Sequence, residues 1–171
     1  MMRWAAKWTA FAGFGSLVIL AFAERAYSFD EESDKIVVAV YEYEIKQQLQ
    51  HQNEAASFCL MMDGLRQRKR VDGRPLGDGA SNEVVAALRG RGYDVYSSND
   101  CAYSGDGVYP RSSSKASIIV GIEPFKFDGS DVPIISSSYL VASLSCGGHR
   151  LKLRRRNGDY EVIESEREYI C

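Results

Sequence analysis

The chain of 171 residues contains only two histidines, which limits the acid–base and metal chemistry that it can carry. His51 precedes Glu54 by three residues, a spacing that can place two metal ligands on one helical turn, but no third ligand is suggested nearby. His149 follows two glycines and can act as a base with an Asp or Glu partner. Because no GxSxG-like motif marks a nucleophile, His149 is interpreted as a turn residue. The sequence therefore predicts no catalytic residue, no metal site and no cofactor.

The glutamates near the C-terminus suggest a second chemistry, the paired carboxylates of a glycosidase. They are Glu161, Glu164, Glu166 and Glu168. The last three alternate along one predicted strand, and three basic residues alternate along the strand before it, namely Arg150, Lys152 and Arg154. Opposite charges on facing strands form pairs that fix the register and protect a sheet edge. We therefore interpret these glutamates as structural partners of the basic row.

Two basic clusters can bind an anion, an acidic glycan or lipid headgroups. One is Arg154-Arg155-Arg156 at a predicted hairpin tip, and the other comprises Arg66, Arg68, Lys69, Arg70 and Arg74. Charge runs beside turns are usually solvated surface, and this interpretation is preferred. The three arginines at the hairpin tip, Arg154, Arg155 and Arg156, are retained as candidate interaction residues.

The segment 99–114 is rich in Ser, Gly and Asp and is predicted to be a loop. It contains Ser104-Gly105-Asp106-Gly107-Val108-Tyr109, which resembles the serine-glycine-tyrosine loop with which periplasmic lysozyme inhibitors enter an active site. The tyrosine stands one residue further along than in that loop. The resemblance implies an inhibitor or immunity-like protein whose contact residues are Ser104, Gly105 and Tyr109.

The first 23 residues have the three parts of a secretory signal peptide. Arg3 and Lys7 form the basic region, an apolar run follows, and Ala21-Phe22-Ala23 supplies small residues before the cleavage point. Cleavage leaves one domain, residues 24–171, with its formal charge changed from −2 to −4 by the loss of two basic residues. This acidic balance argues against nucleic-acid binding. The alternative is an uncleaved N-terminal anchor, and the sequence predicts membrane attachment only in that case.

All four cysteines follow the cleavage point, and an even number in an exported domain predicts two disulfides with three alternative connectivities. They are Cys59, Cys101, Cys146 and Cys171. Asn157-Gly158 predicts a two-residue hairpin turn, from which counting outward places His149 opposite Glu166. Cys146 and Cys171 then lie near the same end of the sheet. We therefore predict the pairs Cys146–Cys171 and Cys59–Cys101.

The elements that must position these residues begin with a helix from Asp34 to about Gln50, capped by Ser33 or Asp34. The β-branched segment 36–40 leaves a strand open as the alternative there. The pattern next predicts a buried strand over 55–62 and a surface loop over 65–80. Next comes a second helix, which runs from Ser81 towards Arg91 and is ended by Gly92. It is followed by a strand over 93–98.

The C-terminal third predicts four further strands, at 116–122, 132–145, 149–156 and 160–169, with breaks at Asp128-Gly129, Gly147-Gly148 and Asn157-Gly158. Ala116, Ile118, Val120 and Ile122 share one face of the first of them. The fold class is therefore α+β, an antiparallel β-meander of four to six strands with two helices packed on one face.

The C-terminal order of a Cys146-Gly147-Gly148 segment, a strand, Asn157-Gly158, Tyr160, a strand and Tyr169 resembles that of small uncharacterised exported bacterial α+β proteins. Those proteins usually carry Trp where this chain has Tyr160 and Tyr169. The resemblance covers roughly the last 35 residues, and it implies an exported location and an α+β fold without assigning catalytic residues.

The leading functional hypothesis is an exported, non-enzymatic binding or accessory domain, periplasmic or secreted, whose partner is another envelope or secreted protein. One alternative is a periplasmic enzyme inhibitor or immunity-like protein that uses the segment 99–114. The other is a small hydrolase-type enzyme that uses His149 in an open sheet cavity. The sequence leaves the oligomeric state open.

Overall fold

The computed structural model describes residues 31–51, 56–62, 76, 78–105, 107–125, 129, 131–141 and 145–170. The predicted signal peptide, the basic cluster of the loop 65–80, Glu54, Asp106 and Cys171 lie outside these residues. The elements in chain order are α1 (Glu31–His51), β1 (Ser57–Met61), α2 (Asn82–Gly90), β2 (Val95–Ser97), β3 (Cys101–Ser104), β4 (Gly107–Pro110), β5 (Ser117–Ile122), β6 (Ile134–Val141), β7 (Ser145–Arg156) and β8 (Asp159–Ile170).

Six strands form one sheet in the order β2-β1-β5-β6-β7-β8, and β3 pairs with β4 in a separate hairpin. Strands β5 to β8 are antiparallel neighbours, whereas β1 lies parallel to both β2 and β5. The predicted α+β class, a mostly antiparallel sheet with two helices, is confirmed. The two parallel pairings are additional to the prediction. Because α2 carries the chain back along the sheet between β1 and β2, these two strands run in the same direction.

Helix α1 packs on the sheet and supplies much of the core. It begins at Glu31, ahead of the predicted start, so the prediction of Ser33 or Asp34 as its cap is wrong. Acidic residues in the first turn stabilise the helix there, because their charge opposes the positive end of the helix dipole. The segment 36–40 is helical and wholly buried, which excludes the alternative of a strand.

Tyr41 joins α1 to β1. The side chain is fully buried, and its hydroxyl donates a hydrogen bond to the Met61 carbonyl oxygen at 2.7 Å. Burial raises the pKa of Tyr41 well above its ordinary value, because a phenolate there would lose its hydration. All five residues of β1 are buried, so this strand is covered on both faces.

Helix α2 has the ends that the sequence predicts. The Ser81 hydroxyl oxygen accepts a hydrogen bond from the Val84 backbone N–H at 3.2 Å, which satisfies one of the free donors of the first turn. Gly92 follows the helix with φ +89°, a conformation that favours glycine. Both predictions are confirmed.

The other face of the sheet carries the β3–β4 hairpin, where the sequence predicts a loop over 99–114. That prediction is wrong, because Cys101 to Ser104 pair in register with Gly107 to Pro110. The predicted disulfide Cys59–Cys101 is confirmed and joins the start of the hairpin to the centre of β1. A second, smaller core of buried apolar residues packs around this disulfide: Met61, Leu76, Val108 and Ile119.

Strands β7 and β8 are joined by the predicted turn, in which Asn157 has φ 53° and Gly158 has φ 88°. The predicted pairing of His149 with Glu166 is wrong, because His149 lies opposite Arg167. The register shifts twice along β8, once at Ile163 and once at Glu168. At each shift one residue of β8 has no partner on β7, as in a β-bulge, so all later pairings move by one.

The two charged rows of this hairpin form the predicted ion pairs in part. Lys152 Nζ lies 3.5 Å from Glu164 Oε2, and Arg150 Nε lies 3.8 Å from Glu168 Oε1. A further ion pair, between Arg156 Nη1 and a Glu161 oxygen at 3.2 Å, lies outside the two predicted rows. These contacts support the structural interpretation of the C-terminal glutamates.

Gly147 and Gly148 lie inside β7, so the prediction of a chain break there, with His149 as a turn residue, is wrong. Tyr139 covers Gly147, and Tyr169 covers Gly148. A Cβ atom on Gly148 would lie 2.3 Å from the Tyr169 ring and 2.9 Å from the Ser137 carbonyl oxygen. The glycines therefore provide room for aromatic side chains of the neighbouring strands rather than a turn.

Cys146 is also disulfide-bonded, while its predicted partner, Cys171, lies outside the described residues. The confirmed disulfide is compatible with an oxidising, exported location. No helix within the described part of the chain is long and apolar enough to span a membrane.

Candidate functional site

A buried carboxylate on α1 meets the only histidine of the sheet. Glu44 Oε1 lies 2.8 Å from His149 Nδ1, and the Glu44 side chain is completely buried. Glu44 faces the sheet because it belongs to the buried stripe of α1, between Tyr41 and Gln48. His149 faces the helix because it alternates with the buried residues Leu151 and Leu153 along β7.

Ser137 completes this polar cluster from β6, where it lies directly opposite His149. Its hydroxyl donates a hydrogen bond to Glu44 Oε1, and the His149 carbonyl oxygen lies 3.3 Å away as a second acceptor. Ser137 thus contacts the carboxylate rather than the imidazole Nε2. A serine nucleophile would need that nitrogen as its base, so the cluster is not a Ser-His-acid triad. Glu44 Oε2 is buried without a hydrogen-bond partner among the described residues.

Two tyrosines enclose the imidazole. The His149 ring stacks on Tyr139 with 5.8 Å between centroids, and Tyr43 meets it edge-on at 6.4 Å. The His149 side chain keeps 11% of its surface exposed. The hydrogen bond between Nδ1 and Glu44 fixes the orientation of the imidazole ring.

A separate cleft of 710 Å³ runs between α1, α2 and the start of β8. Its floor consists of the apolar side chains Val38, Ala39, Val84 and Ala87. Charged groups surround this floor, and they comprise Glu31, Asp34, Lys35, Glu83, Arg91 and Asp159. A volume of this size is typical of ligand pockets, although the lining of this cleft is more charged than that of most small-molecule sites.

The β8 side of the cleft is tied to α1 through Glu32. The Tyr160 hydroxyl donates a hydrogen bond to Glu32 Oε1 at 2.9 Å, and Arg155 Nη1 lies 3.4 Å from the same oxygen. Burial raises the pKa of Tyr160, and the hydrogen bond to the Glu32 carboxylate raises it further. A neutral phenol that donates to a carboxylate is thus the stable form of this contact.

The α2 side of the cleft is tied to α1 through Glu42. Its carboxylate binds the Arg91 guanidinium, accepts a hydrogen bond from the Tyr93 hydroxyl at 3.2 Å, and pairs with Lys46 at 2.8 Å. Burial acts to raise the pKa of Glu42, but the hydrogen bonds and charges of Lys46 and Arg91 outweigh it, so the pKa lies below the ordinary value. Both sides of the cleft are therefore fixed by charged contacts with α1.

The candidate residues for interaction lie at two exposed places outside this cleft. Ser104 and Gly105 form the exposed end of the β3–β4 hairpin, and Tyr109 turns back so that its ring covers Gly107. Arg154, Arg155 and Arg156 are exposed at the β7–β8 tip, with Arg155 and Arg156 held in ion pairs. The structure does not bring the two groups into one site.

The predicted pair of metal ligands is not assembled within the described residues, since His51 is the exposed last residue of α1 and Glu54 lies outside them. No group of three or more His, Cys, Asp or Glu side chains suited to a metal occurs in the part of the chain that the structure describes.

Glu44 was not among the residues singled out from the sequence, although its position carries a signal. The apolar stripe Val37, Tyr41, Ile45 places position 44 on the buried side of the helix, where a carboxylate needs a partner. His149 likewise falls in phase with Leu151 and Leu153. An acid and a base on two faces that must pack together indicate a buried pair.

No protein-family model matches the chain, and neither a curated protein nor a solved structure is significantly similar to it. The function is therefore inferred from the geometry of this chain alone.

Proposed function

We propose that the protein is an exported, non-enzymatic binding or accessory domain that acts on another protein of the envelope or the medium. The observation that carries this proposal is the cleft of 710 Å³ between α1, α2 and β8. Ala87 on its floor is exposed, and its sides are held in place by contacts to Glu32 and Glu42. A preformed recess binds without the cost of ordering its own walls.

Export is supported by the signal-like residues 1–23 and by the Cys59–Cys101 disulfide, which persists in an oxidising compartment. A protein partner is favoured over a small metabolite because the polar groups of the cleft lie around its sides as charges. No converging set of hydrogen-bonding groups is found on its floor within the described residues.

Site-specific photo-crosslinking in the native envelope tests this function. Ala87 lines the cleft, while Ala86, which is also exposed on the same helix, does not. We expect a photoreactive amino acid at position 87 to give a discrete crosslinked protein that is absent from the position 86 control. Identical crosslinking patterns from the two positions, or no adduct at position 87, would contradict the proposal.

A second candidate function, a hydrolase-type enzyme that uses His149 as a general base, is favoured by the Glu44–His149 contact of 2.8 Å. A buried carboxylate that orients an imidazole is a recurrent arrangement in general acid–base catalysis. The test is an activity screen of the purified protein on ester, amide and glycoside substrates, repeated with His149→Gln. Loss of a measured activity in a folded His149→Gln variant would support an enzyme, and unchanged activity would exclude His149 as its base.

A further inference from the structure

We propose that the cleft between α1, α2 and β8 binds a short basic segment of its partner that also carries an apolar side chain. This inference rests on the proposed binding function and adds the chemical class of the ligand. It is carried by the charge balance of the cleft and by the size of its floor.

The cleft has more acidic than basic groups. Four carboxylates line it, from Glu31, Asp34, Glu83 and Asp159, against the two cations Lys35 and Arg91.

Both cations are held in ion pairs by the protein. Lys35 Nζ lies 3.0 Å from Glu31 Oε1, one of the four carboxylates, and the Arg91 guanidinium shares the Glu42 carboxylate with Lys46. The hydrogen bond and charge of Glu31 raise the pKa of Lys35, as does the nearby charge of Asp159. A ligand therefore meets an excess of negative charge, which attracts basic groups and repels acidic ones.

The acidic groups most accessible to a ligand lie on different elements. Glu83 is exposed in the first turn of α2, and Asp159 is exposed at the start of β8. Helix α1 contributes to the cleft from Glu31 to Ala39, which corresponds to about 12 Å along its axis at the helical rise of about 1.5 Å per residue. An extended peptide covers this length with about four residues.

The floor is suited to an apolar side chain of the ligand. The small side chain of Ala87 is exposed and leaves space above Val38, Ala39 and Val84, which are buried beneath it. A ligand with lysine or arginine beside an apolar residue therefore matches both the carboxylates and the floor.

Selection from a random hexapeptide library displayed on phage, with the folded domain immobilised, tests this inference even while the natural partner is unidentified. We expect the enriched peptides to carry Lys or Arg next to an apolar residue. Glu83→Gln combined with Asp159→Asn should weaken their binding roughly five- to tenfold, because each exposed ion pair contributes up to about 1 kcal/mol. Ala87→Phe should abolish binding by filling the floor, and Ala86→Phe is the matched control.

The outcomes separate the two proposals. Enriched peptides that are acidic or uncharged, yet sensitive to Ala87→Phe, would overturn the ligand class and leave the cleft as a binding site. Peptides that bind the Ala87→Phe and Ala86→Phe variants equally well would overturn the cleft itself. No enrichment would overturn both. Thermal unfolding of each variant establishes that its fold is retained.

Discussion

The carboxylate of Glu44 and the imidazole of His149 join α1 to β7 through a contact of 2.8 Å between Oε1 and Nδ1. Neither partner can be removed without leaving the other in a poorly hydrated place, since Glu44 is fully buried and His149 nearly so. A buried polar pair of this kind specifies how the helix is placed on the sheet more than it adds to stability.

We expect His149→Phe to lower the free energy of unfolding by about 3 kcal/mol, because it leaves the Glu44 carboxylate buried without its main partner. The phenyl ring keeps the shape needed to stack on Tyr139. Urea unfolding at neutral pH measures the loss.

The double variant Glu44→Leu with His149→Phe should be more stable than the single His149→Phe variant, since no charge is then left unpaired. The Ser137 hydroxyl, which loses Glu44 as its acceptor, can still donate a hydrogen bond to the backbone carbonyl oxygen of residue 149, 3.3 Å away. If the double variant is as unstable as the sum of the two single variants, the two side chains are not coupled.

Gly148→Ala should destabilise the protein by about 1–3 kcal/mol, because the new Cβ would overlap the Tyr169 ring and a backbone carbonyl of β6. Gly147→Ala should cost less, since the three atoms nearest to its new Cβ all belong to the far end of the Tyr139 side chain rather than to backbone. Melting temperatures of the two variants provide the measurement. Gly90→Ala is the control, because nothing lies within 4 Å of its Cβ position, and equal effects at positions 90 and 148 would contradict the prediction.

Acid should weaken the α1–α2 contact through Glu42. The pKa of this carboxyl is lowered in the folded state by Lys46 and Arg91, which outweigh its burial. As the pH falls, the unfolded chain is therefore protonated at Glu42 before the folded protein is. The stabilisation is fully present above the unfolded pKa of about 4.3, and it is lost as the pH falls through the lower pKa of the folded protein. Glu42→Gln should cost about 0.5–1 kcal/mol at pH 7 and little at pH 3. Urea titrations of both proteins across this range test it, and a constant difference would argue against the assignment.

Replacement of both Cys59 and Cys101 by alanine should lower the stability by roughly 2–4 kcal/mol, because the bond closes a loop with a sequence separation of 42 residues. Both side chains are fully buried, so part of the loss reflects the missing sulfur atoms. Thermal unfolding of the double variant and of the unaltered protein, both without reductant so that the disulfide of Cys146 is kept, measures the loss. A melting temperature that the double replacement does not change would show that the bond adds no stability.

The features that were predicted correctly from the sequence depend on neighbouring residues. Ser81 and Gly92 mark the two ends of α2 by side-chain capping and positive φ, and Asn157-Gly158 marks the hairpin turn in the same way. The facing positions Ile118, Val120 and Ile122 follow from simple alternation. Each of these features can be predicted from residues that are close together in the sequence.

The features that were missed depend on residues far apart in the chain. Ser57 pairs with Ser117 in the parallel contact of β1 and β5, and no turn signal links them. The bulges at Ile163 and Glu168 shift a register that counting from the turn assumes to be regular. The sequence predicts a chain break at Gly148 because the ring of Tyr169, which requires a glycine there, comes from a different strand.

The position of β1 between β2 and β5 also bears on the order in which the chain folds. The antiparallel half, β6 to β8, is built from contacts between neighbouring segments, and the β7–β8 hairpin can form by itself once its turn closes. Strand β1 must instead wait until residues 117–121 are available, because its longer parallel contact is made with them. Closing so long a loop slows folding, since its entropy is lost before the strand contacts form. We therefore expect the C-terminal hairpin to be an early structure and the docking of β1 on β5 to be the late, rate-limiting step of folding.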